Sequence, residues 1–153
     1  MAGPDRATIH TMGIAAPSLE TSPRAPDPSL ITYTHAVYAL HASSVLIGLT
    51  SPATVVGSFV FGLPSILAVI MNYARQSEAR GTWLEPHFLW QIRTFWYALF
   101  WMLVAAMIST PLVLLLGAGI LTFVLAAGVV GVWVTYRVLR GWLALRDGRP
   151  PAL

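Results

Sequence analysis

The sequence predicts an all-α membrane protein with four transmembrane helices and with cytoplasmic N and C termini. Composition is the first observation: 56% of the 153 residues are hydrophobic and 10% are charged, whereas soluble domains carry about 25% charged residues. The position of the charges is the second, because no Asp, Glu, Lys or Arg occurs from Pro28 to Ala74 or from Thr94 to Tyr136. About 20 apolar residues cross a bilayer core as a helix, so each uncharged segment accommodates two spans.

The distribution of arginine is the third observation and predicts the orientation. All nine basic residues are arginines, and the two predicted short turns contain none. They lie in the N-terminal tail, between the second and third spans, and after the fourth span: Arg6 and Arg24; Arg75, Arg80 and Arg93; Arg137, Arg140, Arg146 and Arg149. Basic residues near membrane ends accumulate in the cytoplasm. With an even number of spans, all three groups and both termini fall on that side.

Residues 1–29 are predicted to form a disordered cytoplasmic tail. They contain five prolines and no apolar run of the kind that forms the core of a secretory signal peptide. The first hydrophobic segment is therefore expected to remain in the protein as an uncleaved membrane anchor.

The first hairpin is predicted from one long uncharged segment. Helix one covers about residues 30–49 and helix two about residues 54–74, with Pro52 breaking the helix between them. Pro64 lies in the middle of helix two, where proline displaces the carbonyl group of Val60. We therefore expect a kink at Pro64 and a hydrogen-bond partner for the displaced carbonyl.

Helix three is predicted over about residues 86–116, and two starts are open. Thr82 and Glu85 have the spacing of a capping box, whereas a cap at Glu85 would place Pro86 at the first helical position. Both alternatives begin the helix outside the hydrocarbon.

The boundary between helices three and four is predicted at residues 117–119. Helix four then covers about residues 119–142, and residues 147–153 form a short tail. Pro111 predicts a kink or, alternatively, the break itself. A break at Pro111 would leave the segment up to Arg137 too long for one perpendicular span, so the glycine turn is preferred.

Small residues spaced by four occur on three of the predicted helices and allow close helix approach in lipid. They either pack within the monomer or form a dimer contact. The pairs are Ser44 and Gly48, Ala105 and Ser109, and Ala127 and Gly131.

His41 is a candidate functional residue, because ionisable side chains at bilayer depth are rare. It lies about eleven residues into helix one, or roughly 16 Å deep. We expect it to hydrogen-bond to Ser65 or to the carbonyl group of Val60 in a structural role. A proton relay or a substrate contact is the alternative. His35 and His41 lie along one slowly turning stripe of the helix, but they do not have the three- or four-residue spacing of paired ligands, and the predicted membrane segments contain no carboxylate. We therefore expect no metal and no cofactor.

His87 and Gln91 are a second candidate pair, four residues apart just after Glu85. A catalytic role would need a base, an orienting group and a reacting group together, and no nucleophile has the required spacing. We therefore expect interfacial hydrogen bonding and no enzymatic activity.

Interfacial anchors are predicted at the cytoplasmic ends of helices three and four, because tryptophan prefers the headgroup level and arginine can extend to it. The set consists of Trp83, Trp90, Arg93, Trp96, Arg137, Arg140 and Trp142. Besides the bilayer itself, anionic lipid at these arginines is a candidate partner. Nucleic acid is not expected, because the arginines are dispersed among aromatic residues.

A family resemblance rests on the segments GLP at 62–64, NYAR at 72–75, WLEPH at 83–87 and WQIRTFW at 90–96. The chain resembles uncharacterised small four-helix bacterial inner-membrane proteins, which are distantly similar to the plastid Tic import-channel subunit. The resemblance covers roughly residues 30–146 and places Pro64, His87 and Gln91 at the family's shared proline, histidine and glutamine. It implies a bacterial inner-membrane location and participation in a membrane complex.

The expected function is a non-enzymatic subunit or assembly factor of a membrane complex, with other membrane proteins or a second copy as partners. The alternative is a small oligomeric channel or transporter with His41 and the Pro64 kink lining its path. Four helices are few for alternating access, and a membrane-embedded carboxylate that could couple an ion is not present.

Overall fold

The computed structural model describes residues 23–50, 55–116 and 118–151, with side chains except at residues 49–61 and 114–117. Four helices follow in chain order: α1 (Pro28–Thr50), α2 (Val55–Ala79), α3 (Glu85–Leu116) and α4 (Gly119–Arg146). The predicted all-α class is confirmed. The predicted tail up to residue 22 and the turn at Pro52 lie outside the described residues.

Three helices contain segments that are long and apolar enough to cross a membrane. These segments are Pro28–Gly48 in α1, Glu85–Val113 in α3 and Gly119–Arg146 in α4. At about 1.5 Å per residue, even the shortest of them reaches roughly 30 Å, the thickness of a hydrocarbon core. The structure therefore has the composition and dimensions of a membrane protein.

The helices form a ring in which each contacts its neighbour in the chain and α4 returns to α1, while α1 and α3 also touch across the ring. We call residues 23–44, 65–101 and 133–151 the terminal half, because they include both ends of the described chain. The remaining described part of α3 and α4, residues 102–132, is the hairpin half. A hydrogen bond from the Arg24 N–H to the Gly81 carbonyl, 2.9 Å, ties the N-terminal segment to the α2–α3 loop.

The helix α1 begins two residues before the predicted position, because Asp27 caps it. The Asp27 carboxylate accepts a hydrogen bond from the Ser29 N–H at 2.7 Å, and Pro28 takes the first helical position, where its missing N–H is not needed. Hydrogen bonding from Ser29 also holds the pKa of Asp27 below its ordinary value. The cap therefore favours the charged carboxylate.

The helix α2 continues five residues beyond its predicted end, from residue 74 to Ala79. The extension contains Arg75 and Glu78, which pair one turn apart with an Arg75 Nε to Glu78 Oε1 distance of 2.9 Å. This bond holds the pKa of the Glu78 carboxyl below its ordinary value. Hydropathy marks the point where a helix leaves an apolar environment, and its backbone hydrogen bonding continues past that point.

The helix α4 also continues beyond its predicted end at about residue 142, and it ends at Arg146 in a Schellman motif. Gly148 has a φ of 64°, its N–H donates to the Leu145 carbonyl at 3.0 Å, and the Arg149 N–H donates to the Ala144 carbonyl at 2.9 Å. The positive φ explains the glycine. This motif turns the chain so that the Arg149 carbonyl reaches the start of α3, where it hydrogen-bonds to His87 at 2.8 Å.

The start of α3 at Glu85 differs slightly from both predicted caps. The Thr82 hydroxyl accepts from the Leu84 N–H at 3.2 Å, while the Glu85 carboxylate accepts from the Gly81 N–H at 2.9 Å. In a capping box, the Thr82 hydroxyl would accept from the Glu85 N–H and the Glu85 carboxylate would accept from the Thr82 N–H. Each observed donor is one residue earlier in the chain. Gly81 has a φ of 71°, a conformation that side chains other than glycine rarely adopt.

The predicted glycine turn between the third and fourth helices is confirmed, since α3 ends at Leu116 and α4 begins at Gly119. The helix α3 runs through Pro111, so the alternative break is not observed. A Cβ atom on Gly119 would lie 2.1 Å from the Ser109 carbonyl oxygen. Glycine is therefore required for the close approach of the two helices at this turn.

The apolar core lies in the terminal half. Its buried members are Leu30, Tyr38, Ala79, Leu84, Phe88, Val138 and Leu145. The hairpin half instead exposes large apolar side chains, among them Met107 at 76%, Val129 at 71% and Val132 at 70%. This division positions the candidate site, which lies inside the terminal half.

Candidate functional site

Six polar or aromatic side chains from α1, α2 and α3 meet inside the terminal half, and we call them the interior polar layer. They are Tyr38, His41, Ser65, Asn72, His87 and Gln91. All except the partly buried Ser65 are buried. All four sequence-predicted candidates, His41, Ser65, His87 and Gln91, therefore belong to the same region.

His87 joins three parts of the chain through its two ring nitrogens. Nε2 lies 2.8 Å from the Arg149 carbonyl oxygen, and Nδ1 lies 3.0 Å from the Tyr38 hydroxyl. A carbonyl oxygen only accepts, so Nε2 carries the proton and Nδ1 accepts from Tyr38. The neutral imidazole thus satisfies both contacts and links α3 to α1 and to the C-terminal segment.

Tyr38 is held from several sides. Its ring stacks on Trp142 with centroids 6.5 Å apart and planes at 8°, and it meets the His87 ring edge-on at 6.0 Å. On the α4 side, a Cβ atom on Gly141 would lie 2.5 Å from the Tyr38 hydroxyl oxygen. Glycine therefore lets α4 approach the tyrosine that hydrogen-bonds to His87.

Asn72 and Gln91 link α2 to α3. The Asn72 amide nitrogen donates to the Gln91 side-chain oxygen at 2.8 Å. The remaining polar atoms, Asn72 Oδ1 and Gln91 Nε2, are buried and have no hydrogen-bond partner within the described residues. One strong contact thus fixes the two amides, and each keeps one polar atom available for a further bond.

The predicted contact between His41 and Ser65 is present, with His41 Nδ1 3.3 Å from the Ser65 hydroxyl oxygen. The other ring nitrogen, Nε2, is buried and has no hydrogen-bond partner among the residues that the structure describes. His41 and Gln91 also line a cavity of about 10 Å³ between α1, α3 and α4. A cavity of this size has room for about one water molecule.

The predicted anchors separate into two groups. Arg93, Trp96 and Arg140 are exposed at the surface of the terminal half, as an interfacial anchor should be. Trp90, by contrast, is buried, and Trp142 donates a hydrogen bond from Nε1 to His35 Nδ1 at 2.9 Å. Trp90 therefore packs against α4 and has little exposed surface, and its role as an interfacial anchor stays a prediction.

The side chain of Arg137 packs over the Trp90 ring. Its guanidinium carbon lies 3.6 Å from the Trp90 ring centroid, and its Nε donates to the Thr94 hydroxyl at 2.8 Å. Trp90 Nε1 in turn donates to the Arg137 carbonyl at 3.1 Å. Stacking on an aromatic face suits the planar guanidinium, so Arg137 packs between α3 and α4.

Trp83, the last predicted anchor, is partly buried and meets the His87 ring edge-on at 5.9 Å.

The chemistry available in the interior polar layer is hydrogen bonding. Among the described residues, no three His, Cys, Asp or Glu side chains lie close enough to hold a metal ion. The tyrosine, histidine and amide groups contact each other across helix boundaries. This arrangement fixes the relative positions of the helices.

Comparison of the chain with models of known protein families, with curated proteins and with solved structures gives no match. The resemblance to small bacterial inner-membrane proteins therefore stays a prediction. The assignment of a role depends on the geometry described above.

Sequence reasoning did not single out Tyr38, Asn72 or the Arg149 carbonyl as site groups. Asn72 carried a usable signal, since a side-chain amide in an uncharged apolar segment needs a partner. Gly148 carried another, because a glycine followed by prolines signals the end of a helix. The pairing of these groups with His87 and Gln91 carried no sequence signal.

Proposed function

We propose that this protein is a four-span protein of the bacterial inner membrane, with cytoplasmic termini, that acts as a non-enzymatic subunit or assembly factor of a membrane complex. Three candidate spans support the membrane location, and the uncharged run up to Ala74 extends it to α2. All described arginines lie in the terminal half. The positive-inside rule therefore orients that half to the cytoplasm.

The observation that carries the complex-forming role is the contrast between interior and surface. Inside, polar groups bond to one another and fix the helices. Outside, the hairpin half presents many exposed apolar side chains on α3 and α4, such as Ile108, Ile120 and Val132. A rigid interior with an apolar outer face fits a protein that contacts other membrane helices.

The topology can be tested with single cysteines, since the chain has no native cysteine. Ser51→Cys and Ser77→Cys are near-isosteric changes before and after most of α2. In intact and permeabilised cells, a membrane-impermeant maleimide should label them from opposite sides. Labelling of both from the same side would contradict the four-span proposal.

The complex can be tested by photo-crosslinking in cells. A photoreactive amino acid at Val132 should yield a reproducible adduct with another membrane protein, whereas the same group at Val138, which is 6% exposed, should yield none. Adducts with lipid alone at Val132, Met107 and Val129 would contradict the role of a complex subunit.

The second candidate is a small oligomeric channel or transporter lined by His41 and the Pro64 region. It is favoured by His41, which lines a small cavity and whose Nε2 has no hydrogen-bond partner in the described part of the chain. Since that cavity has a volume of only about 10 Å³, a path would require the helices to separate or several copies to assemble. Crosslinked adducts of twice the chain mass would favour this candidate. Proteoliposome flux that His41→Ala leaves unchanged would contradict it.

A further inference from the structure

A second, much larger cavity opens on the surface of the terminal half. It has a volume of about 1040 Å³ and lies between the N-terminal segment, the α2–α3 loop, the start of α3 and the end of the chain. Four charged residues line it: Arg24, Arg93, Arg137 and Glu85. The interior polar layer does not use this cavity.

The arginines of the terminal half differ in whether a carboxylate lies nearby. Those of this cavity belong, with Arg80 and Arg140, to the group that has no such partner in the described chain. Arg75, Arg146 and Arg149 each have a carboxylate partner within 4 Å. In the described part of the chain, Arg24, Arg93 and Arg137 have none.

The one carboxylate in the cavity wall is Glu85, and it accepts the Gly81 N–H at 2.9 Å. It is therefore committed to the α2–α3 loop. Three guanidinium groups against one carboxylate leave the cavity with an excess of positive charge, which favours an anion.

Arg137 is oriented before any ligand arrives. Its Nε is committed to the Thr94 hydroxyl, and its plane is held over Trp90 at 3.6 Å, with the Trp133 ring at 5.1 Å. The two terminal nitrogens have no hydrogen-bond partner among the described residues. A fixed guanidinium with free terminal donors matches two oxygens of a phosphate group.

We propose that this cavity binds the phosphate of an anionic phospholipid, with Arg137 as the oriented donor and Arg93 and Arg24 completing the positive field. The wall also contains the apolar or aromatic side chains of Leu89, which is 37% exposed, and Tyr97, which is 54% exposed. They line the same face of α3 and provide a surface for an acyl chain. The inference rests on the proposed membrane location.

Thermal unfolding of the full chain in a neutral detergent tests this site. Mixed micelles with phosphatidylglycerol should raise the unfolding midpoint, whereas phosphatidylcholine at the same mole fraction should not. Arg137→Gln should weaken the phosphatidylglycerol effect by about tenfold in apparent affinity, the size expected for one charge-assisted bidentate contact. Inorganic phosphate alone should give no comparable shift.

Arg140→Gln is the matched control, because the cavity includes Arg93 and Arg137 of the predicted lipid-contacting arginines but not Arg140. Arg140 lies three residues further along α4, is exposed and does not line the cavity, so its loss should leave the phosphatidylglycerol effect unchanged. Arg93→Gln is a second variant for the case that Arg137→Gln fails to fold, because Arg93 is exposed and makes no ion pair within the described chain. Native mass spectrometry should detect one retained phosphatidylglycerol in the wild type and in Arg140→Gln.

Three results would overturn the proposal. Equal shifts with phosphatidylglycerol and phosphatidylcholine would exclude recognition of the anionic headgroup. An equal shift with inorganic phosphate would indicate a site for a free anion. Equal losses in Arg140→Gln and Arg137→Gln would indicate a general surface-charge effect. These outcomes are independent of the crosslinking and cysteine-labelling experiments, which test complex formation and topology separately.

Discussion

The terminal half and the hairpin half use polar side chains in different ways. In the terminal half, hydrogen bonds cross between helices, as between Tyr38 and His87 at 3.0 Å and between Asn72 and Gln91 at 2.8 Å. In the hairpin half, Thr110 and Thr122 donate to carbonyl groups one turn earlier in their own helices, at 2.7 and 3.2 Å. Polar groups therefore join the helices in one half and stay local in the other.

The difference shows how α3 and α4, which extend through both halves, can be held by neighbouring helices at one end and remain exposed at the other. Apolar side chains do not distinguish a neighbouring helix from lipid, so specific contacts within a membrane come from close packing and interhelical hydrogen bonds. The terminal half has both. The hairpin half has close packing where Ser109 meets Gly119, and its other apolar surface is available to lipid or to a partner.

The largest expected effect follows from removing the residue that joins most parts of the terminal half. His87→Ala leaves the Tyr38 hydroxyl and the Arg149 carbonyl without their partner, and orphaning a buried group such as the Tyr38 hydroxyl costs about 1–3 kcal/mol. His35→Ala, which removes one acceptor from the half-buried Trp142 contact, should cost less. Unfolding midpoints in detergent measure both, and equal losses would contradict the central position of His87.

Gly141→Leu should have the next largest effect. The added side chain would occupy the space of the Tyr38 ring, since even a Cβ atom would lie 2.5 Å from the Tyr38 hydroxyl, and overpacking costs about 1–3 kcal/mol. Gly131→Leu on the same helix is the control, because a Cβ there meets nothing within 4 Å. If both variants unfold at the same temperature, the contrast between the two halves is refuted.

The link between α2 and α3 should show a measurable but smaller coupling. In a double-mutant cycle of Asn72→Leu and Gln91→Leu, we expect a coupling free energy of about 0.6 kcal/mol, the average for interhelical hydrogen bonds in membranes. The cycle separates the pair from packing changes, provided that each single variant folds. Additive losses would mean that the 2.8 Å contact does not contribute to stability.

Truncations in the hairpin half should affect partner contact more than stability. Val132→Ala removes exposed methyl groups, so the free energy of unfolding in detergent should change by less than about 0.5 kcal/mol. Crosslinking from the neighbouring Val129 should nevertheless weaken if this face binds a partner. Val138→Ala, in the buried core of the terminal half, is the control with the opposite pattern.

The smallest effect is expected at the Arg75–Glu78 pair, which is partly exposed. The pKa of Glu78 is lowered by its bond to Arg75, so the contribution of the pair is complete above the ordinary pKa of 4.5 and is lost as the pH falls through the lowered value. Glu78→Gln should remove this acid dependence and leave the midpoint at pH 7 almost unchanged. A large loss at pH 7 would show that the end of α2 supports the fold more than its exposure suggests.

Much of the fold followed from residue types and their positions along the chain. The helices from Pro28, Glu85 and Gly119 onward were predicted because a span of fixed thickness requires an uncharged segment of fixed length. The turn before Gly119 was predicted because glycine permits a tight helical connection. The ends at Ala79 and Arg146 were missed, because helical hydrogen bonding continues after the apolar composition ends.

For the candidate site, residue types alone identified positions that carry polar groups in the interior, since His41, His87 and Gln91 stand out against an apolar background. The contact of His41 with Ser65 could be predicted from depth along two adjacent antiparallel helices. The hydrogen bonds of His87 to Tyr38 and to the Arg149 carbonyl, by contrast, depend on how the helices pack. Those partners lie 49 and 62 residues away in the chain, and the ring order and rotation of the helices that bring them together are set by packing, which no local sequence period records.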